Sequence, residues 1–472
     1  MQANRRRWGV SVVVLSIGWA ALALHGWRGD VRMDAAIGHW IVTHGRLPHH
    51  NWWTVAAWGR PFSDTEWLYA VLVAVLGRWG TFVVSGLVWS ALAIAVVRWL
   101  AAWPWPWSGW AAIGWALLMV PVMPPRPELW SYLGWWGSLM ALVAYRKRGH
   151  TRSVWAMAAV TLVWAQLHRS AWLVPALWGW ELAAGPRPWR RGLWGPWALS
   201  LVAVLLPPAG GLAGLIFLLH VGRSGPYGVL NTIVEWLPPD LRTAWGVAVL
   251  AVVCLAWAGL APATWRSGDR VGLGWLLGGT LAAMEAQRLA PYALLGWMVL
   301  ATPALRGQVP APRPGWWNGL ALGAGLWIGI APWVLVGRTG FFVPAWPRSA
   351  LTALRRAGAT RNLLAYQGDT LVGAGMRPWV DGQVQLVADR PWWPVWIATE
   401  QGRWSPAAFA ARWDPGAQAI VWPTLRAGLP PLALLAPWHR VWQGTIRWGG
   451  TTATPSAIWV RIPADRKEGR LR

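Results

Sequence analysis

The stretch WGVSVVVLSIGWAALALHGWRGDVRMDAAIGHW, residues 8–40, joins an apolar run to a pair of aspartates. As a helix, residues 8–27 are long enough to cross a bilayer, so Asp30 and Asp34 are expected just beyond the far end. Ionised carboxylates are costly so close to a membrane core, and their presence there marks a functional site.

Working outward, similar apolar runs recur to about residue 335. We expect about eleven spans, near 8–27, 81–101, 109–123, 129–145, 153–167, 171–184, 193–206, 243–262, 271–287, 290–305 and 316–336. Hydrophobic residues make up 56% of the 472 and charged ones only 12%, which excludes a soluble fold and predicts a polytopic α-helical membrane protein. The net charge of +25 does not point to nucleic acid. Its arginines are scattered through short connections rather than gathered into a basic, aromatic stripe. Two lysines among 42 basic residues, together with 49 tryptophans, read as the biased composition of a GC-rich bacterial genome. Tryptophans near run ends, such as Trp99, Trp130 and Trp172, suit headgroup depth, and those inside runs serve as packing. Cys254 is the single cysteine, so neither an internal disulfide nor a cysteine metal site is expected. Arg5, Arg6 and Arg7 resemble a signal-peptide start, but the long run without a small-residue cleavage site reads as an uncleaved first span.

With the N-terminus inside, the inner connections carry Arg146, Lys147, Arg148 and Arg152, then Arg187, Arg190 and Arg191, then Arg266 and Arg270, then Arg306 and Arg313. This is the positive-inside pattern, repeated. The same count places segments 28–80, 124–128, 168–170, 207–242 and 288–290 outside. Those segments hold Asp30, Asp34, Asp64, Glu66, Glu128, Glu235 and Asp240. Acids contribute little to the orientation rule, so their gathering on one face is a separate signal for an outward polar site.

Two domains follow: residues 1–338, spanning the membrane with a large first outer loop at 28–80, and residues 339–472, a small outer α/β domain. In that loop, residues 30–45 have helical spacing and 65–80 read as a short amphipathic or half-inserted helix. Within the outer domain RNLLAY, AQAIVW, HRVWQGTIRW and AIWVRI are strand-like, and RSALTALRRAG and PAAFAARW helix-like. GDTLVGAG lacks the spacing of a nucleotide-binding loop.

Asp30 and Asp34 stand one helical turn apart, so one can take a proton while the other positions an acceptor or holds a cation. The same spacing also suits a helix cap at Asp30 and a surface pair of Asp34 with Arg28 or Arg32. Glu66 is either a third site acid or a first-turn acid facing a helix dipole. His44, His49 and His50 surround a proline without zinc-ligand spacing. Arg126, His168, Arg169 and Arg288 lie at outer span ends, where they snorkel or clamp a lipid phosphate.

Taken in order, Asp30 eight residues before Gly38, then HGRLPHHNWWTVAAWGRPFSDTEWL, RPELWSYL, WAQLHRSAW, VEWLPPD, RLAPYALL and RPWVDGQ resemble bacterial membrane proteins related to the GT-C-fold glycosyltransferases. That class includes the protein mannosyltransferases and the aminoarabinose transferase of lipid A. The resemblance implies a polyprenyl-phosphate-linked sugar donor, a glycan, lipid or protein acceptor, and surrounding membrane lipids as partners. It also implies an inner-membrane enzyme with an outward site and a cytoplasmic N-terminus. Asp30 becomes the candidate catalytic acid, with Asp34 and Glu66 beside it. Arg126, His168 and Arg288 would stabilise the leaving phosphate, with Mg2+ or Mn2+ admitted but not required. Asn51, Glu235 and Asp381 are further outer-face candidates.

The chain departs from the related pattern. Asp34 stands where a histidine is expected, Asn51 where an aspartate is, Gln166 for asparagine, Pro207 for asparagine and Gln383 for arginine. Two other readings therefore stay open: a transporter or flippase of a lipid or polysaccharide precursor, and a GT-C scaffold without activity.

Overall fold

The computed structural model describes residues 2–25, 30–59, 66–100, 107–119, 126–185, 187–207, 238–241, 244–266, 269–300, 347–365, 369–372, 374–379, 392–400, 404–423, 438–446 and 454–461. Its first part is helical: α1 (Gln2–His25), α2 (Asp30–His44), α3 (Trp67–Leu100), α4 (Trp107–Met119), α5 (Glu128–Arg148), α6 (Thr151–Leu167), α7 (Leu173–Ala184), α8 (Arg187–Leu205), α9 (Ala244–Arg266), α10 (Arg270–Glu285) and α11 (Ala290–Leu300). Every expected span except 316–336, which lies outside the described residues, falls on one of these helices. Among the described residues, two helices are long and apolar enough to cross a membrane by themselves, Trp67–Leu100 and Gly246–Arg266.

The abundance of both tryptophan and glycine has a packing explanation. A Cβ placed on Gly18 would lie 1.9 Å from the Trp89 ring, one on Gly86 2.1 Å from Trp19, and one on Gly134 2.6 Å from Trp164. Large rings on one helix thus fill notches left by glycine on another, so the helices approach closely. Trp89, Trp115 and Trp178 are fully buried in the bundle core, with Leu22, Leu92, Leu139 and Leu177 around them.

The short helix expected at 65–80 is present from Trp67, and it meets the span expected at 81–101 at a kink at Gly77 (φ 61°, ψ −170°), the two pieces together making the 34 residues of α3. No proline separates the two pieces, and a residue without a Cβ adopts that left-handed φ at little cost. Helix α2 lies beside the first half of α3. Gly38 makes this possible, since a Cβ there would sit 1.9 Å from the carbonyl oxygen of Ala70.

The second part is a small α/β unit containing α12 (Arg348–Arg356), β1 (Leu363–Ala365), α13 (Asp369–Val372), α14 (Trp393–Glu400), α15 (Pro406–Trp413), β2 (Ala419–Pro423), β3 (Trp438–Ile446) and β4 (Thr454–Arg461). The strands form one mixed sheet in the order β1-β2-β4-β3, with β1 parallel to β2 and the other pairs antiparallel. Trp396, Trp422 and Phe409 fill one face; Leu354, Leu363, Val421 and Ile458 fill the other.

This unit grips the loop that follows α2. Val55 and Ala56 donate backbone hydrogen bonds to the carbonyls of Pro378 (3.0 Å) and Trp379 (3.1 Å), and Ala57 is buried in the core with Trp379 and Phe409. Val372 packs against Met33, Ile37 and Ile41 of α2. The α/β unit and the first loop therefore share one framework at the end of the bundle where α3, α5 and α11 begin.

Candidate functional site

Four separate pieces of backbone bring ionisable groups together at that end. Glu66 immediately precedes α3, Glu128 is the first residue of α5, His168 and Arg169 form the junction between α6 and α7, and Arg288 stands in the 3-10 turn Gln287–Leu289 that leads into α11. Helix starts favour carboxylates, because unpaired N–H groups and the helix dipole present positive charge.

Glu128 is the hub. Arg288 donates a hydrogen bond to its Oε1, and His168 Nε2 lies 3.8 Å from the same oxygen. The second oxygen, Oε2, is buried without a hydrogen-bond partner among the described residues. Glu66 lies on the other side of the histidine: its Oε1 is 3.3 Å from His168 Nε2 and 3.7 Å from Arg169 Nε.

His168 is buried and its tautomer is settled by geometry. The backbone N–H of Ser170 donates to Nδ1 at 3.3 Å, so Nδ1 is an acceptor and Nε2 carries the proton. The hydroxyls of Ser170 and Ser131 lie 2.6 and 2.8 Å from Nδ1, and Trp164 Nε1 donates to Ser131 at 3.0 Å. Burial pushes the imidazole pKa down to about 3; Glu128 opposes this, while Arg169 and Arg288 add to it. A neutral His168 thus offers Nε2–H to the two glutamates as a positioning residue.

Asp34 is buried on α2, and Arg126 stands two residues before Glu128. Asp30 begins α2 one turn earlier, its side chain outside the described part. Glu235 and Asp381 also fall outside the described residues.

Asn51 has a structural duty. Its buried Oδ1 accepts from Trp53 N (3.1 Å), Thr54 N (3.0 Å) and Thr54 Oγ1 (3.2 Å), clasping the loop that enters the α/β unit. A carboxylate can accept the same three bonds, so asparagine at position 51 preserves the loop's shape. Gln166 accepts from Trp67 Nε1 at 2.8 Å and ties α6 to the start of α3.

Among the described residues, no three His, Cys, Asp or Glu side chains form a group that could hold a metal. Glu128 is engaged by a guanidinium, and Glu66 faces another. The described part is an ion-pair network.

Neither a protein-family model nor a curated protein sequence matches the chain. Solved structures do. One is the archaeal oligosaccharyltransferase AglB from Archaeoglobus fulgidus in complex with an inhibitory peptide and a dolichol-phosphate. It superposes with a TM-score of 0.52 over 88% of this chain and 69% of its own, at 12% identity. The chain has a GT-C fold. A second structure of the Archaeoglobus fulgidus oligosaccharyltransferase, tethered to an acceptor peptide, covers the same shares at 12% identity with a TM-score of 0.48. On this GT-C fold, sequence reading missed the parts of the cluster that only packing reveals. Ser131 and Ser170, which orient His168, and Tyr292, whose ring lies 4.3 Å from that of Tyr132, come from three distant segments. Their signal in the sequence is only proximity to the ends of apolar runs.

Proposed function

We propose that the protein is a bacterial membrane glycosyltransferase that moves a sugar from a polyprenyl-phosphate-linked donor to an acceptor hydroxyl on the outer face of the membrane. The observation that carries this reading is the gathering of Glu66, Glu128, Arg169 and Arg288 around His168 at one end of a GT-C fold. Membrane residence is supported by the outward faces of the helices, where Leu87, Leu255 and Leu281 are 60%, 68% and 63% exposed, a surface suited to lipid.

In the proposed reaction the acceptor oxygen attacks the anomeric carbon. The bond from that carbon to the phosphate oxygen breaks, its electron pair leaves with polyprenyl phosphate, and the hydroxyl proton passes to a carboxylate. Asp30 takes that proton, with Asp34 one turn away to orient the acceptor. Arg126 and Arg288 face the charge that builds on the leaving phosphate. Glu128 and His168 fix Arg288 and Glu66 in place, so the cations are arranged before substrate arrives.

The test is transfer of labelled sugar from membrane-extracted polyprenyl-phosphate donors by purified protein, wild type against Asp30→Asn at matched folding. Loss of at least about 100-fold in turnover is expected for removal of a general base. Equal turnover removes Asp30 from the mechanism, and no turnover by the wild type across a broad donor set overturns the reading.

A further inference from the structure

On the face of α2 turned away from Asp34 there is a cavity of about 780 Å3, walled by α2, the start of α3, the loop after α2 and the α/β unit. At 3.6 residues per turn, Arg32, Ala35, Ala36 and His39 share an arc of roughly 100°, and Asp34 stands about 100–160° from them. The same helix therefore carries a buried acid on one side and basic residues on another.

Among the described residues that line the cavity, Arg32, His39, Arg355 and Arg377 are basic and none is Asp or Glu. Two of the guanidiniums are held in position: Arg377 lies over the ring of Trp58, 3.9 Å from its centre, and Arg355 donates to the carbonyl of Ala374 at 3.3 Å. Trp52 and Trp53 complete the wall, and Trp52 stays 38% exposed although its ring meets that of Trp58. Planar guanidiniums suit phosphate or carboxylate oxygens, and an exposed indole offers a flat apolar face to a sugar ring.

We propose that this cavity binds an anionic saccharide, its phosphate or carboxylate held by Arg32, Arg355 and Arg377 and its ring against Trp52. The glycosyl-transfer reading enters only in making the ligand a saccharide. Two sources share this chemistry: the sugar-phosphate end of a lipid-linked donor held apart from the acid cluster before transfer, and a separate acidic glycan acting as acceptor.

The test is binding to the purified full-length protein in detergent, with three probes: glucose linked to farnesyl phosphate, trigalacturonate, and neutral maltotriose. At least one anionic probe is expected to bind, and maltotriose to bind at least tenfold more weakly. Arg355→Gln, an exposed change, and the double variant Arg355→Gln, Arg377→Gln should each weaken the anionic probe, the double by tenfold or more. Asp30→Asn should leave this binding unchanged even if it abolishes transfer, which separates the two claims. Preference for the farnesyl-linked probe marks a donor site and preference for trigalacturonate an acceptor site; either supports the proposal. Anionic binding indifferent to Arg355→Gln in a folded protein, maltotriose binding as tightly as the acids, or no binding of either acidic probe at millimolar concentration overturns it.

Discussion

The two ends of the helical bundle each bury a glutamate against an arginine, and they use the pair differently. At the end where α5 finishes, Arg146 donates to both oxygens of Glu181, at 2.9 and 2.5 Å, and Glu181 is fully buried. Donors and acceptors match in a closed pair whose work is to hold α5 against α7. At the opposite end Glu128 also accepts from an arginine, Arg288, but keeps a buried oxygen without a hydrogen-bond partner among the described residues. A second acid, a neutral histidine and a further arginine crowd around it. Matched pairs hold a fold together, whereas a network with acceptor capacity to spare is what the proposed reaction calls for.

That contrast can be broken experimentally, and the largest effect on stability is expected at the closed pair. Arg146→Ala leaves Glu181 charged and buried, costing about 3 kcal/mol in the unfolding free energy. Thermal unfolding in detergent reads this, and a change below about 1 kcal/mol would mean that the Arg146 pair is not structural. Next comes the approach of α2 to α3: Gly38→Ala forces a methyl into the Ala70 carbonyl and should cost about 2 kcal/mol. It should also lower transfer by displacing Asp30 and Asp34, and unaltered stability and transfer would show that α2 is not held where it is found.

A comparable effect is expected in the α/β unit. Asp414 accepts from Asn362 Nδ2 at 2.7 Å, but burial pushes its pKa up to about 6. A pKa raised above the unfolded value means the folded state favours the protonated form. The unit is therefore most stable below about pH 4 with respect to this group, and loses that contribution as the pH rises through 6. The loss is about 3 kcal/mol at about 1.4 kcal/mol per unit. Stability profiles of wild type and Asp414→Asn should diverge across that window, and parallel profiles would refute the assignment.

The smallest expected effect is nil. With its pKa lowered to about 3, His168 stays neutral throughout the ordinary working range. Its contribution to stability is present above the unfolded pKa near 6.5 and lost as the pH falls from there through 3. Transfer rates between pH 6 and 8 should thus show no inflection that His168→Gln removes. An inflection lost in that variant would make His168 an acid–base group rather than a positioning one.

The helices were readable in the sequence because most of the expected spans carry an apolar run with arginine near an end. Strands β2, β3 and β4 were readable as short runs rich in β-branched or aromatic residues, and β1 as the apolar Leu363–Ala365. The kink at Gly77 carries no proline signal, and a left-handed φ alone marks it. The acid cluster was foreseen as a face but not as a network. Charge counting groups Glu66, Glu128, His168 and Arg288, yet the pairing of Glu128 with Arg288 spans 160 positions and depends on how α5 packs beside α11. Asn51 read as a lost acid, and the structure gives it a loop to hold. The basic cavity on the far side of α2 was invisible because its arginines come from α2, from α12 and from the segment before β1's neighbour Pro378.

The central claim is that the acids at one end of the bundle perform chemistry while those at the other maintain the fold. Its most direct test measures sugar transfer and unfolding together for Glu128→Gln and Glu181→Gln. The account predicts that Glu128→Gln lowers turnover by at least about tenfold with little change in stability, and that Glu181→Gln lowers stability while the protein that remains folded turns over normally. Equal losses of turnover per folded molecule at the two ends would contradict it.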